Sequence, residues 1–437
     1  MIEEFEASTP DGLLVQKLEK LVRIAIFKPA AVLVEFLLQE AADRVDEAYQ
    51  PKPGEQYKGR GAIEGQSLFG SLKLARDYYY HAGKQTGHYP ADAALGMEEG
   101  CTPALARLIC LEGADATSYH KAEQHLLETG GVAVSARQVH RVVQRVGAGA
   151  QAWQQREYQA GQEQRCDAPI MYVSGDATGV PMRAEELAGR QGKQPDGTAK
   201  TRQAYLGCVF TQHGRDEKGR PLRDHDSTTY VSSFGTINEF GPMLRWEALR
   251  RGMGEAIELV MLIDGAAGLA GMGKDQFQTA LQIVDFYHAM EHGARVLEAL
   301  LGSKDHPDYK ARHRQWAKRL LKNGVACLIE EVRQECAGRA MAEAVEKELT
   351  YFVTNIKRMQ YGTFRKKGYF IGSGVIEAGC KTVIGTRCKQ SGMFWGEPGA
   401  EHILALRCIH ASRRLDEYWQ HRLRQRADQN APMLLAA

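Results

Sequence analysis

Between residues 168 and 302, short apolar runs follow one another in an order that few folds accommodate. Three runs come first, then a helical segment, and then two further runs that each lead into a helix. The five runs are APIMYV (168–173), AYLGCVFTQ (204–212), STTYVSSF (227–234), IELVMLI (257–263) and LQIV (281–284). Strands that first succeed one another and then alternate with helices predict an α/β fold built on a mixed sheet, with helices on both faces.

The bulk composition narrows the class of protein. A chain of 437 residues with 43% hydrophobic and 25% charged residues is typical of a globular protein of two or three domains. No apolar run approaches 18 residues, so we expect no membrane contact. The first residues lack the basic-then-apolar layout of a signal peptide, and the nine cysteines form no CxxC pair. These features favour a cytoplasmic protein with reduced thiols.

Changes in composition and in the predicted secondary structure divide the chain into six predicted segments. The first contains amphipathic helices over 12–48, a loop at 51–65 and a small β-hairpin. The segments are an N-terminal, mostly helical region (1–100), a helix-turn-helix region (101–165), the first part of the core (166–302), a helical insertion (303–361), the second part of the core (362–412) and a basic C-terminal helix and tail (413–437).

The helix-turn-helix prediction rests on a helical pattern that is broken by Gly130-Gly131 and restarts after Ser135, a residue suited to cap a helix. The second helix would offer Arg137, Gln138 and Arg141 to DNA. Many helical hairpins have the same layout, so plain helix packing remains an equal alternative.

Two aspartates follow apolar runs of the predicted sheet: Asp176 in SGDATG and Asp264 in LIDGAAG. In open α/β sheets, ligands bind at the carboxyl ends of the strands. A single aspartate there more often starts a turn or caps a helix. Two of them, together with Glu377, favour a site that binds Mg²⁺ or Mn²⁺, since hard oxygen ligands suit these ions. Two such ions serve phosphodiester chemistry.

Glu377 is the one acid among eight Lys and Arg residues between positions 355 and 395. So strong a local excess of positive charge, in a chain of net charge +2, indicates a phosphate-binding surface. Phe394 and Trp395 could stack on an unpaired base or belong to the core. Lys381 could instead pair with Glu377 one helical turn away. The candidate DNA contacts are Arg365, Lys366, Lys367, Lys381, Arg387, Lys389 and Trp395.

The sequence blocks YVSGDATGVPM, VMLIDGAAGL, IVDFYHAMEH and GSGVIEAGCKTVIGTRCKQSGMFW resemble bacterial insertion-sequence transposases of the DDE class, specifically the ISKra type. The resemblance covers most of residues 100–412. It implies an RNase H-like catalytic core in which Asp176, Asp264 and Glu377 bind the metal ions. It also implies a supporting catalytic role for Asp285 and His288, which could equally be a capping aspartate and an ordinary helix histidine.

These observations lead to a hypothesis about function. The chain would be a Mg²⁺-dependent transposase that acts on double-stranded DNA, both the transposon terminal repeats and the target, in the bacterial nucleoid. It would act as a homodimer or a larger assembly on DNA, because two ends must be paired. The alternatives are a DNA-binding protein of the same fold without catalytic activity, and a nuclease that selects DNA by its structure.

Overall fold

The computed structural model describes residues 12–159, 166–192, 194, 197–338 and 341–434. The chain forms two compact units. One contains the residues up to Ala150 together with those from Arg414 onward, and the other contains Gln151–Arg413. No helix among the described residues is long and apolar enough to cross a membrane. All nine cysteines are free, as expected from their spacing.

The first unit packs helices around a three-stranded antiparallel sheet of order β1-β2-β3. Its elements are α1 (Gly12–Ala48), β1 (Glu55–Ser67), β2 (Gly70–His81), β3 (Thr86–His88), α2 (Pro90–Ala94), α3 (Pro103–Asp115), α4 (Tyr119–His125), α5 (Ala136–Gln159) and α16 (Leu415–Leu434). The predicted β-hairpin is therefore present, but the predicted loop at 51–65 is wrong. Most of it belongs to β1, which pairs with β2 from Glu55 to Ser67.

The structure also corrects the amphipathic helices predicted over 12–48. They form the single helix α1, which continues through Pro29. Val34 and Leu38 of α1 pack on a core cluster that contains Leu72 and Leu74 of the hairpin. Other large apolar side chains of α1 remain exposed. The helix is thus apolar on more than one face, not amphipathic.

The second unit is built on a five-stranded sheet. Its elements are β4 (Ile170–Pro181), β5 (Thr201–Gln212), β6 (Gly214–Arg215), β7 (Pro221–Leu222), β8 (Thr229–Ser233), α6 (Ile237–Arg250), β9 (Glu258–Ile263), α7 (Ala267–Gln276), β10 (Leu281–Val284), α8 (Phe286–Leu301), α9 (Tyr309–Leu320), α10 (Val325–Glu335), α11 (Glu343–Asn355), α12 (Tyr361–Lys366), α13 (Gly374–Gly379), α14 (Thr386–Cys388) and α15 (Glu397–Ala411).

The sheet has the order β10-β9-β4-β5-β8. The strands β4, β5 and β8 pair antiparallel, whereas β9 and β10 add parallel on the other side of β4. This confirms the predicted α/β class with a mixed sheet, in the strand order of an RNase H-like core. The short strands β6 and β7 form a separate hairpin.

Helices cover both faces of the sheet, as neighbouring residues of β5 show. Gly207 leaves room for Leu244 of α6, because a Cβ there would lie 2.6 Å from that side chain. Leu206 points to the opposite face, where it approaches Gly379 of α13. The close packing of α13 on this second face brings its residues over the middle of the sheet.

Candidate active site

The register of the sheet places three aspartates in one row. The pairing of β4 with β9 ends at Ser174 beside Leu262, so the next two steps along each strand put Asp176 beside Asp264. The pairing of β9 with β10 ends at Ile263 beside Val284, so Asp285 follows next to Asp264. Three adjacent strands therefore each present an aspartate at the same edge, where α/β sheets bind their ligands.

Asp176 differs from its predicted place at the end of a strand. Its strand β4 continues to Pro181 along β5, and only the pairing with β9 has ended at this point. Asp176 lies opposite Leu206, hence on the face covered by α13. Burial raises the pKa of its half-buried carboxyl group, and the negative charge of Asp264 raises that pKa further. Two like charges in such an arrangement favour a cation between them.

Asp285 is fully buried, and both of its carboxylate oxygens accept hydrogen bonds. Oδ1 accepts from the backbone N–H of His288 at 2.6 Å, which caps α8, and Oδ2 accepts from the backbone N–H of Ser373. The capping role that the sequence left open is thus real. It also links β10 to the segment that begins α13.

Glu377 lies in the first turn of α13. Its Oε1 accepts a hydrogen bond from the Ser373 hydroxyl at 2.8 Å, so Ser373 holds the carboxylate in place and does not cap α13 through its side chain. Within the part of the chain that the structure describes, one set of three possible metal ligands has its ligand atoms within 4.8 Å of one another: Asp285, His288 and Glu377.

This cluster differs from the predicted triad. Among the described residues, the compact set shares only Glu377 with the triad of Asp176, Asp264 and Glu377, which stays a prediction. The charges of Asp264 and His288 nevertheless both alter the pKa of Asp176. The five residues therefore belong to one site, with a compact group on one side and a pair of aspartates on the other.

The helical segment between α8 and α12 supplies a residue that the sequence analysis missed. The hydroxyl of Tyr351, on α11, donates a hydrogen bond to the carbonyl oxygen of Asp264 at 2.7 Å. Gly265 permits this contact, since its φ of +86° is left-handed and a Cβ there would lie 2.7 Å from the Tyr351 ring. The sequence signal for this contact is the Asp-Gly pair that follows an apolar strand. No local pattern indicates that its partner is Tyr351, which lies 87 positions away.

Two predicted DNA contacts are corrected. Arg387 is only 1% exposed, and its guanidinium lies 5.0 Å from the centre of the buried Trp395 ring. Neither side chain can reach a duplex in this structure, so both are part of the core. Phe394 is instead the exposed aromatic, and it lines an open pocket of about 830 Å³ together with Arg183, Arg190 and Lys200.

The other predicted cations of this segment lie at the surface. Lys389 donates a hydrogen bond to the hydroxyl of Thr178, two residues beyond Asp176 on β4. This contact places one positive charge beside the row of aspartates. The remaining exposed cations are Arg365, Lys366, Lys367 and Lys381.

In the other unit, the predicted helix-turn-helix segment has α4, a π-helical turn and α5 in sequence. The Ser135 hydroxyl accepts from the backbone N–H of Gln138 at 3.2 Å, which confirms Ser135 as the cap of α5. Arg137 and Arg141 are exposed, whereas Gln138 is half-buried and donates to the carbonyl oxygen of Glu99. Gln138 is therefore engaged within the fold and also accepts a hydrogen bond from the exposed Arg141.

Comparisons with known proteins give a family but no activity. The sequence profile of an uncharacterised protein family, UPF0236, matches residues 8–412. No curated protein sequence matches the chain. Among solved structures, the chain is similar to the Drosophila P element transposase strand transfer complex, with 12% identity and a TM-score of 0.24, over 72% of this chain and 80% of that one. A likeness this distant assigns no activity to this chain.

Proposed function

The chain belongs to the uncharacterised UPF0236 family, and from its site we propose that it is a metal-dependent DNA transposase. It would cleave and join strands at the ends of an insertion sequence of the ISKra type. The observation that carries the proposal is the row of Asp176, Asp264 and Asp285 on adjacent strands, with Glu377 close to Asp285. Several carboxylates that converge on one edge of an RNase H-like sheet suit the chemistry of phosphodiester bonds.

The donor set fits divalent cations such as Mg²⁺ or Mn²⁺. Asp264 Oδ1 accepts a hydrogen bond from the backbone N–H of Ala266 at 2.8 Å, and Glu377 Oε1 accepts from the Ser373 hydroxyl, so the other oxygen of each carboxylate can face a cation. His288 adds a nitrogen ligand, which Mn²⁺ accepts more readily than Mg²⁺. Two bound ions would supply Lewis acidity to the attacking and the leaving oxygen of a phosphodiester.

The residues of the chain have distinct roles in this proposal. Asp285, through its two hydrogen bonds, fixes the start of α8 and the start of α13 relative to each other. His288, partly exposed beside Glu377, offers its imidazole nitrogen to a cation that Glu377 also contacts. Lys389 lies close enough to Thr178 to contact a phosphate beside Asp176.

DNA recognition would fall to the other unit. Arg137 and Arg141 of α5 are exposed on a helix that follows a turn, as a recognition helix requires. The double-stranded terminal repeats are the proposed ligand there, and target DNA is the second substrate of the catalytic unit.

We further propose that the protein acts as a homodimer through α1. Seven apolar side chains, each 44–68% exposed, share one face of this helix: Val15, Val22, Ile26, Val32, Leu33, Phe36 and Leu37. At 3.6 residues per turn they span about 140° of the helix surface, opposite the face that packs on the hairpin. Together they expose roughly 700 Å², close to the ~800 Å² per partner of a standard interface. A second copy, whose identical face can pair with it about a twofold axis, is the occupant that this area suits.

The deciding experiment compares the wild type with the variant Asp264→Asn on DNA that carries the two ends of the element. The wild type should cleave and transfer strands in Mn²⁺, whereas the variant should bind the same DNA without cutting it. Normal cleavage by the variant would sink the proposal. A wild type that binds ends but never cuts would favour the inactive DNA-binding alternative. Cutting of branched DNA without strand transfer would favour the structure-selective nuclease.

A further inference from the structure

A cleft of about 470 Å³ lies in the catalytic unit, outside the carboxylate site. Three separate segments line it: the β6–β7 hairpin, the turn between α9 and α10, and α12 with the residues after it. They bring together five positive side chains, namely Lys218, Arg220, Lys322, Arg365 and Lys366. Among the residues that the structure describes, no acidic side chain lines the cleft.

The charges of the cleft are largely uncompensated. Arg220 pairs with Asp216 at 2.7 Å, at the base of the hairpin. Across the residues that the structure describes, Lys218, Lys322 and the pair Arg365–Lys366 have no ion-pair partner. Four like charges around one concave space repel one another unless an anion neutralises them. The charges of the cleft therefore favour the binding of a ligand with several negative charges.

The cleft is also held in shape by contacts between its walls. Asn323 joins the α9–α10 turn to α12, because its Oδ1 accepts from the backbone N–H groups of Gly362 at 2.7 Å and Thr363 at 3.2 Å. The guanidinium of Arg215 donates to the carbonyl oxygen of Lys367 at 2.5 Å and so joins the hairpin to the end of α12. Gly368 has a φ of +72° and leaves room for the Arg215 side chain. A preformed site loses less entropy on binding than a mobile one.

One helix connects this cleft with the row of aspartates. Tyr361, the first residue of α12, is buried with its hydroxyl 3.5 Å from the carbonyl oxygen of Asp285, and its ring contacts Phe286. Arg365 and Lys366 lie at the other end of the same helix, a rise of roughly 8 Å. One short helix therefore joins the cleft to the buried end of β10 at Asp285.

We propose that this cleft binds the phosphodiester backbone of a DNA strand that continues from the carboxylate site. The presence of an anion-binding cleft follows from its charges alone, whereas the identity of the strand rests on the proposed function. Lys218 and Lys322 on opposite walls contact phosphates from two sides, and Arg365 offers a two-pronged contact.

The test uses the full-length protein in the Asp264→Asn background, so that binding is measured without cleavage. The variant Lys218→Ala/Lys322→Ala/Arg365→Ala is compared with a control of equal charge, Lys310→Ala/Lys318→Ala/Lys347→Ala, which changes exposed cations of the neighbouring helices outside the cleft. The dissociation constant for DNA that carries one element end is measured at several salt concentrations. The cleft variant should reduce the dependence of log Kd on log salt by about 2, since each phosphate contact contributes about 0.7–0.9.

Two further arms identify the ligand. Neutral methylphosphonate linkages are placed one at a time at successive nucleotides on either side of the cleavage position. Where the strand crosses the cleft, a neutral linkage should weaken wild-type binding but leave the cleft variant unaffected. Inorganic phosphate at millimolar concentration should compete poorly, because it spans only one of the contacts. Equal salt dependence for the cleft and control variants would overturn the proposal, even if the protein cleaves DNA. A reduced salt dependence of the cleft variant, found together with a wild type that does not cleave DNA, would support the cleft and contradict the proposed function.

Discussion

Asp176 and Asp264 stand side by side across the point where parallel strands β4 and β9 stop pairing, and the charge of Asp264 raises the pKa of Asp176. The two carboxylates repel each other in the absence of a cation. Each stays in place because its strand is held by the rest of the sheet. In the proposed function, a bound metal ion would neutralise this repulsion.

The first prediction concerns metal-linked stability. Mn²⁺ should raise the thermal midpoint of the wild type by several degrees, since a ligand that binds only the folded state stabilises it by about 2.7 kcal/mol at 100 times its Kd. EDTA should reverse the shift. Asp264→Asn should lose most of the Mn²⁺ effect, yet be as stable as the wild type in EDTA because one repelling charge is gone. The control Asp275→Asn, at an exposed position of α7, should keep the full effect. Equal Mn²⁺ shifts in all three proteins, measured by scanning calorimetry, would argue against a metal site here.

The second prediction concerns Ser373 as a positioning residue. Its hydroxyl holds Glu377, so Ser373→Ala should leave the fold intact but weaken Mn²⁺ binding by about 10-fold or more, as loss of such supporting hydrogen bonds does at metal sites. Thr382→Ala is the matched control, because that hydroxyl bonds only the carbonyl oxygen of Ala378 on the exposed side of the segment. Titration calorimetry measures both affinities. The prediction is wrong if both variants bind Mn²⁺ as the wild type does.

Much of this site could be predicted from the sequence, since apolar runs mark buried strands and the residues that follow them lie at a common edge. The positions of Asp176 and Asp264, and the strand that turns into a helix at Asp285, follow from this rule. Which carboxylates cluster most closely depends on register and on how α13 sits over the sheet. Because those are long-range features, the sequence does not show that Asp285 and His288 lie closer to Glu377 than Asp176 does.

Burial was the other quantity that the sequence could not supply. Arg387 looks like a phosphate ligand in a basic stretch, yet packing places it against Trp395 in the core. The local sequence pattern shows the charge and the periodicity of a segment, but it does not show which neighbouring helix covers a side chain. The same limit applies to residues 51–65, whose Gly and Pro content is typical of a loop, although most of them form β1 and pair with β2. Likewise, the helices predicted over 12–48 form one helix that continues through Pro29.

The third prediction concerns the contact between the aspartate row and α11. Gly265→Ala should destabilise the protein by about 2 kcal/mol or more, because its left-handed φ strains a side chain and its Cβ would strike the Tyr351 ring. Tyr351→Phe should cost only about 1 kcal/mol, the hydrogen bond to Asp264 alone. Gly271→Ala, in the interior of α7 with open space around it, should instead stabilise by about 0.5–1 kcal/mol. Urea unfolding gives all three values, and a Gly265→Ala protein as stable as the wild type would refute the argument.

The fourth prediction concerns the exposed face of α1. Leu33→Glu/Phe36→Glu places two charges in the middle of the apolar stripe and should convert the dimer to a monomer at micromolar concentrations, since an unpaired charge buried in an interface costs several kcal/mol. Lys20→Glu lies on the same helix outside the stripe and should leave the dimer intact. Sedimentation equilibrium gives the mass of each protein. A wild type that is monomeric, with or without DNA, contradicts the proposed dimer. A dimer that survives the double substitution shows that another surface forms it.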